Sequence, residues 1–236
     1  MQTTIIVEIL LWVSLGGVVT YYTWRSIKRR KQEAHNRELI QTVTDLNRGT
    51  ASERQLVLEL LKLGYSQSDI FHDLYVERGQ GWYSQSDVVL ITKTGVVVFE
   101  VKDYSGWLFG KGYQTYWTQV LNFGKEKHRF YNPVLQNNAH IEAIRMRIPQ
   151  LNHVPIYSVI VYYGNCEFKN VSQIPRDVEV IYSWELPRVL SDISNRSEDQ
   201  YFDIEGVKSA LRHFVTNGGN PEIRFLHAKN IQDKVL

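Results

Sequence analysis

The chain has 236 residues, enough for one domain with a real core and some additions. Its 43% hydrophobic and 22% charged residues are ordinary for a globular protein; the single cysteine, Cys166, excludes an internal disulfide framework, and seven scattered histidines argue against a zinc cluster. The formal charge of +2 hides an asymmetry: five of the 27 basic residues sit in "RSIKRRK", residues 25–31, leaving 22 against 25 acidic, about −3, so any grip on nucleic acid must come from a local patch.

The first element is the apolar run "TTIIVEILLWVSLGGVVTYYTW", residues 3–24, whose length suits a spanning helix. Glu8 lies near one end, where it can snorkel, and Trp12, Tyr21, Tyr22 and Trp24 resemble interface aromatics. A cleaved signal peptide would carry its positive charge before the apolar run, whereas here it follows. The reading is a transmembrane anchor over residues 1–24, with the rest of the chain in the cytoplasm by the positive-inside rule. Residues 25–47 form a basic, helical juxtamembrane linker that Gly49 breaks.

A helix is expected from about Ser52 to Leu63, with Leu56, Leu60 and Leu63 on one face and Gly64 as its stop. Three strand-like runs follow, near residues 70–76, 86–92 and 95–103, the last two joined by a turn around "KTG". Residues 104–131 form a long aromatic segment. Asn132 and Pro133 supply an N-cap and first-turn proline for a helix to about Ile148. Strands are expected at 155–164 and 178–184 and helices near 184–194 and 204–216, closing an α/β domain over 48–216 with a mixed sheet flanked by helices. Residues 217–236, beginning "NGGNP", read as a loosely attached tail.

The chemistry centres on "GVVVFEVKDYSG", residues 95–106, where an apolar strand ends in Glu100 and Lys102 on one face. Glu-x-Lys alone is weak, since a strand-end ion pair is usually worth about 0–1 kcal/mol. Asp87, at the start of the preceding strand, strengthens it. With a two-residue loop at Lys93-Thr94, paired residues sum to 187 and Asp87 faces Glu100; such like charges repel unless a cation lies between them. A three-residue loop with Gly95 at a bulge shifts the parity and takes Asp87 out of the ladder. Both loops fit "KTG". Two carboxylates and a lysine at a hairpin rim suit metal-assisted phosphodiester hydrolysis.

Asp87 followed by "FEVK", Phe99 to Lys102, resembles the D…(D/E)-x-K signature of the restriction-endonuclease-like superfamily. "SERQLVLELL", "SDVVLITKTGVVVFEVKDYSG" and "YNPVLQNNAHI", in that order over about residues 48–190, resemble the nuclease-related domain (NERD) family in particular. The resemblance implies a restriction-endonuclease-like mixed sheet and a Mg²⁺- or Mn²⁺-dependent nuclease acting on DNA ahead of RNA. It makes Asp87 and Glu100 the metal carboxylates, the Val101 carbonyl and Glu53 further metal ligands, and Lys102 and Gln136 catalytic. Two departures stand out: the family's Gly-Glu pair is replaced by "GTASERQ" around Glu53, and Ser86 stands where the superfamily often has proline. His140 shares a helix face with Gln136, and Asn132 is assigned to capping alone.

Tyr, Trp and Phe of residues 104–131 interleave with Lys111, Lys125, Lys127 and Arg129, a composition able to grip single-stranded nucleic acid. The bland alternative is a hairpin whose rings pack on the sheet, so no single ring is assigned as a ligand. The functional alternative to a membrane-anchored nuclease is a catalytically idle module of the same fold that holds nucleic acid or protein at the membrane. A purely structural membrane protein stands behind both.

Overall fold

The computed structural model describes residues 2–196 and 203–235, with side chains described for 17–196 and 203–231. The chain opens with one long helix, α1 (Gln2–Gln41), about 60 Å at 1.5 Å per residue. Among the described residues no helix is long and apolar enough to cross a membrane. Most of the expected anchor, residues 3–16, lies outside the residues whose side chains are described.

Helix α2 (Ala51–Lys62) starts where expected: Thr50 caps it, its hydroxyl oxygen accepting the Glu53 N–H. Leu56 and Leu60 are buried, but Leu63 is the C-cap and exposed, so it leaves the apolar face assigned to it. Gly64, at φ +94°, stops the helix in a conformation that suits glycine.

Strands β1 (Ile70–Gly79), β2 (Trp82–Thr92) and β3 (Gly95–Asp103) form an antiparallel meander. Strands β7 (Ile156–Tyr163) and β9 (Val178–Tyr182) add to it in parallel, giving the mixed order β1-β2-β3-β7-β9. The alternation of β3 explains its continuous apolar run, because both faces are covered. Val97, Phe99 and Val101 pack with α2 and with α4 (Leu186–Arg196); Val96 and Val98 pack with α3 (Pro133–Arg147) and α5 (Ile204–Gly219). Glu100 and Lys102 therefore fall on the α3 side.

The β2–β3 turn has two residues: Thr92 pairs with Gly95, and the register holds to Val88 with Phe99, every pair summing to 187. Gly95 is required by the neighbouring strand, since a Cβ there would lie 2.3 Å from the Pro155 carbonyl oxygen.

The aromatic segment is a second sheet. Strands β4 (Gly106–Lys111), β5 (Tyr116–Leu121) and β6 (Glu126–Tyr131) form a meander, and β8 (Cys166–Ser172) joins in parallel, in the order β6-β5-β4-β8. Leu108 and Trp117 of this sheet bury against Val134, Ile160, Tyr162 and Val178, which fastens it to the main core. Strand β8 escaped the sequence reading because "CEFKNVS" has no apolar run, and its polar side chains are largely exposed. The loose tail is likewise corrected. Residues 221–235 form helix α6 (Pro221–Val235), where Asn220 accepts the Glu222 N–H, His227 Nδ1 meets the Tyr83 carbonyl at 2.9 Å and Asn230 donates to the Gly81 carbonyl.

Candidate active site

The main-sheet ladder between β2 and β3 ends at Val88 and Phe99, and the carboxylate of Asp87 bridges the parting strands. Its Oδ2 accepts the Val101 N–H at 2.7 Å, and Gln85 Nε2 approaches Oδ1 at 3.5 Å and Asp73 Oδ1 at 3.3 Å. Asp87 is buried, and Glu100 is 1% exposed. Lys102 Nζ donates to Glu100 Oε1 at 2.5 Å and to Gln136 Oε1 at 3.1 Å. Gln136 reaches this position from the second turn of α3, whose start is set by the Asn132 cap and Pro133. Four of the expected residues, Asp87, Glu100, Lys102 and Gln136, thus meet in one cluster.

One cation serves two buried carboxylates, and the ionisation follows. Burial raises the Glu100 pKa, but the Lys102 charge and then His140 outweigh it and hold Glu100 below the usual glutamate range. Burial, reinforced by the charges of Glu100 and Glu53, pushes Asp87 well above the usual aspartate range despite Lys102 and the Val101 N–H. Burial works against the charged lysine, yet Glu100 and Asp87 keep Lys102 above its ordinary value, so it is a cation at neutral pH.

His140, on the same α3 face one turn beyond Gln136, is drawn in as well. Its Nδ1 lies 2.7 Å from Ser84 Oγ, and its Nε2 stands 3.3 Å from Glu100 Oε2. At that separation neither Nε2 nor Oε2 makes an aligned hydrogen bond. The helical spacing of Gln136 and His140 was the available signal for it.

Glu53 is placed differently. It is buried on α2, which covers the other face of the sheet, and both its oxygens are engaged: Thr50 Oγ1 donates to Oε1 at 2.9 Å, and His72 Nε2 lies 3.2 Å from Oε2. Burial opposes its charge, but His72 and Thr50 prevail and lower its pKa. Ser52 Oγ donates to Asp103 Oδ2 at 2.6 Å, tying the start of α2 to the end of β3.

Whether these groups suit a hard divalent ion is answered by the donor set. Glu100 Oε2 is a buried oxygen with no hydrogen-bond partner, and Asp87 is short of positive charge. A cation would satisfy both. Among the described residues no group of three or more His, Cys, Asp or Glu side chains could hold a metal, so Glu53 does not complete a cage. Two carboxylates, with a backbone carbonyl and water, still fit Mg²⁺, which is commonly bound through only one or two protein carboxylates.

Asn132 does more than cap. Its Oδ1 accepts the Val134 N–H, while Nδ2 donates to the carbonyls of Lys111, Gly112 and Gln114 at 3.2, 2.9 and 2.6 Å. It clamps the β4–β5 turn of the second sheet to the helix that carries Gln136.

A protein of Bacillus anthracis described as uncharacterized is 28% identical over 192 residues, covering 79% of this chain and 85% of the relative. No solved structure matches significantly. The segment holding α2, the β1–β3 meander, the second-sheet meander, α3 and β7 is the one a family model recognises: residues 48–163 match the nuclease-related domain, NERD, and the chain carries a domain of that family.

Proposed function

We propose that the chain is a membrane-anchored, cytoplasm-facing phosphodiesterase that cleaves nucleic acid, DNA ahead of RNA, with Mg²⁺ or Mn²⁺ at Asp87 and Glu100. The observation that carries it is the buried cluster in which Asp87 and Glu100 share the single cation of Lys102 beside Gln136. A divalent ion at these carboxylates would supply an activated water and offset charge on phosphate oxygens. Asp87 and Glu100 provide the oxygens to hold it, with the Val101 carbonyl beside them. Lys102, fixed between Glu100 and Gln136, presents a permanent positive charge to the scissile phosphate and orients the attacking water. Gln136 holds Lys102 in place and offers its amide N–H groups to a phosphate oxygen.

The anchor reading rests on the apolar run 3–24, the following "RSIKRRK", and the exposed Tyr21, Tyr22 and Trp24 of α1. A second reading, an idle binding module of the same fold, is favoured by one feature: Lys102 already takes one oxygen of Glu100. The test compares wild type with Glu100→Gln and Lys102→Ala on single-stranded DNA, duplex DNA and RNA, with Mg²⁺ and with chelator. Both variants should lose cleavage by orders of magnitude while keeping the wild-type circular dichroism spectrum. Wild type inert on all three, yet binding one of them as tightly as the variants do, would establish the idle module instead.

A further inference from the structure

We propose that the outer face of the second sheet is a binding platform for single-stranded nucleic acid. The proposal rests on reading nucleic acid as the ligand of this domain, but not on cleavage. Strand alternation divides the aromatic segment into two populations. Leu108, Trp117, Phe130 and Phe168 point inward and pack on the core. Trp107, Phe109 and Lys111 of β4, Tyr116 and Thr118 of β5, and Lys127, Arg129 and Tyr131 of β6 take the other face.

The register arranges these into rows. Trp107 pairs with Val120, which pairs with Lys127; Phe109 pairs with Thr118, which pairs with Arg129; Tyr116 pairs with Tyr131. Rings and cations thus stand side by side across three strands. Tyr116 and Tyr131 are about half exposed, and Tyr113, in the β4–β5 turn, more so. The guanidinium of Arg129 lies 4.7 Å from the Tyr116 ring centre, Lys111 Nζ 5.9 Å from that of Tyr113, and Lys169 Nζ 5.2 Å from that of Trp107. Lys111, Lys127 and Arg129 form no ion pair among the described residues. A groove of about 380 Å³ opens on this face, lined by Lys111, Gln114, Tyr116 and Arg129 among others.

Unpaired cations call for a polyanion, and half-exposed rings between them call for flat apolar groups spaced along it. A single strand offers both, whereas a duplex hides its base faces. This local patch resolves the difficulty that the chain beyond residue 31 is net acidic. The platform is also coupled to the candidate active site. Asn132 holds the carbonyls of Lys111 and Gln114, and Gln136 follows one turn later on the same helix.

The test is fluorescence anisotropy with labelled oligo(dT) and oligo(U), and with a DNA duplex, on the full-length chain in non-ionic detergent with chelator present. Wild type should bind the single strands more tightly than the duplex, with a log–log salt slope of about −2 for three phosphate contacts at roughly 0.7 each. Tyr116→Ala should weaken single-strand binding about tenfold, and Tyr116→Phe should restore it. Arg129→Ala should weaken binding and flatten the slope by about 0.7, and Arg129→Lys should recover the slope. Wild type that binds no single strand, or that binds it with an affinity unchanged by Tyr116→Ala and Arg129→Ala, overturns the platform. Hydrolysis of bis(p-nitrophenyl) phosphate by wild type with Mn²⁺ tests the carboxylate cluster separately. Binding without hydrolysis sinks the catalytic reading alone; hydrolysis without single-strand binding sinks the platform alone.

Discussion

Replacing Asp87 by asparagine should stabilise the metal-free protein while abolishing its response to divalent ions. The Asp87 carboxylate is buried and short of positive charge, while Glu100 takes the hydrogen bond of the Lys102 ammonium that acts on both. Asp87 and Glu100 lie one position past the last paired residues of β2 and β3, where cross-strand side chains stand no closer than roughly 5 Å at Cβ. Two unit charges at that distance repel by about 3 kcal/mol at an effective dielectric constant near 20. Lys102 offsets part of this, leaving on the order of 1–2 kcal/mol. Asparagine keeps the shape and an oxygen for the Val101 N–H, so the repulsion is removed at little packing cost. For a protein of this size each kcal/mol is worth about 2–4 °C, so Tm in chelator at pH 7 should rise by roughly 2–8 °C. The pH dependence carries the sign. The folded pKa of Asp87 lies above its ordinary 3.8, so its contribution to stability is intact below that value and is lost as pH rises through the folded pKa. Wild type and Asp87→Asn should therefore melt together near pH 3.5 and diverge above it. Millimolar Mg²⁺ or Mn²⁺ should raise Tm of wild type only, by linkage. Scanning calorimetry reads all of this. A lower Tm for Asp87→Asn in chelator at pH 7, or a gap that does not change with pH, would refute the reasoning.

Asn132→Ala should cost about 2 kcal/mol in urea denaturation, from a lost N-cap and the buried Gly112 carbonyl deprived of its donor; Asn132→Ser should recover only the cap, about 1 kcal/mol. Gly110→Ala would place a Cβ 2.2 Å from Trp117 Cγ, and should disturb the near-ultraviolet circular dichroism of Trp117 at a cost of about 1–3 kcal/mol; a silent substitution would show that the second sheet is not seated on that indole. For topology, a reporter fused after Leu236 should behave as cytoplasmic, and activity on the far side of the membrane would overturn the orientation.

Much of the candidate site was legible because its signals are local. Alternation along β3 put Glu100 and Lys102 on one face whatever they pack against, and the Asn-Pro cap placed Gln136 and His140 on one side of α3. The Lys93-Thr94 turn was not legible. A two-residue loop and a bulged three-residue loop suit "KTG" equally, and only the β2–β3 register, in which Thr92 pairs with Gly95, decides between them. The division of the aromatic segment into buried and outward rings also waited on the fold. Trp117 and Tyr116 are both large and apolar, and only the second sheet, laid over Ile160 and Tyr162, buries one and leaves the other half exposed. Glu53 shows the limit of a motif match: sequence order brings it near, but the side of the sheet that α2 covers hands its oxygens to Thr50 and His72. Helix α6 shows the same from another direction, because "NGGNP" reads as the start of a loose tail, and only the fold brings the Tyr83 and Gly81 carbonyls that hold the helix down. The sequence by itself determined the elements and the chemistry carried at their ends, since periodicity, capping and strand alternation act over a few residues. The tertiary structure decided which of those ends meet, since that depends on pairings between residues far apart in the chain.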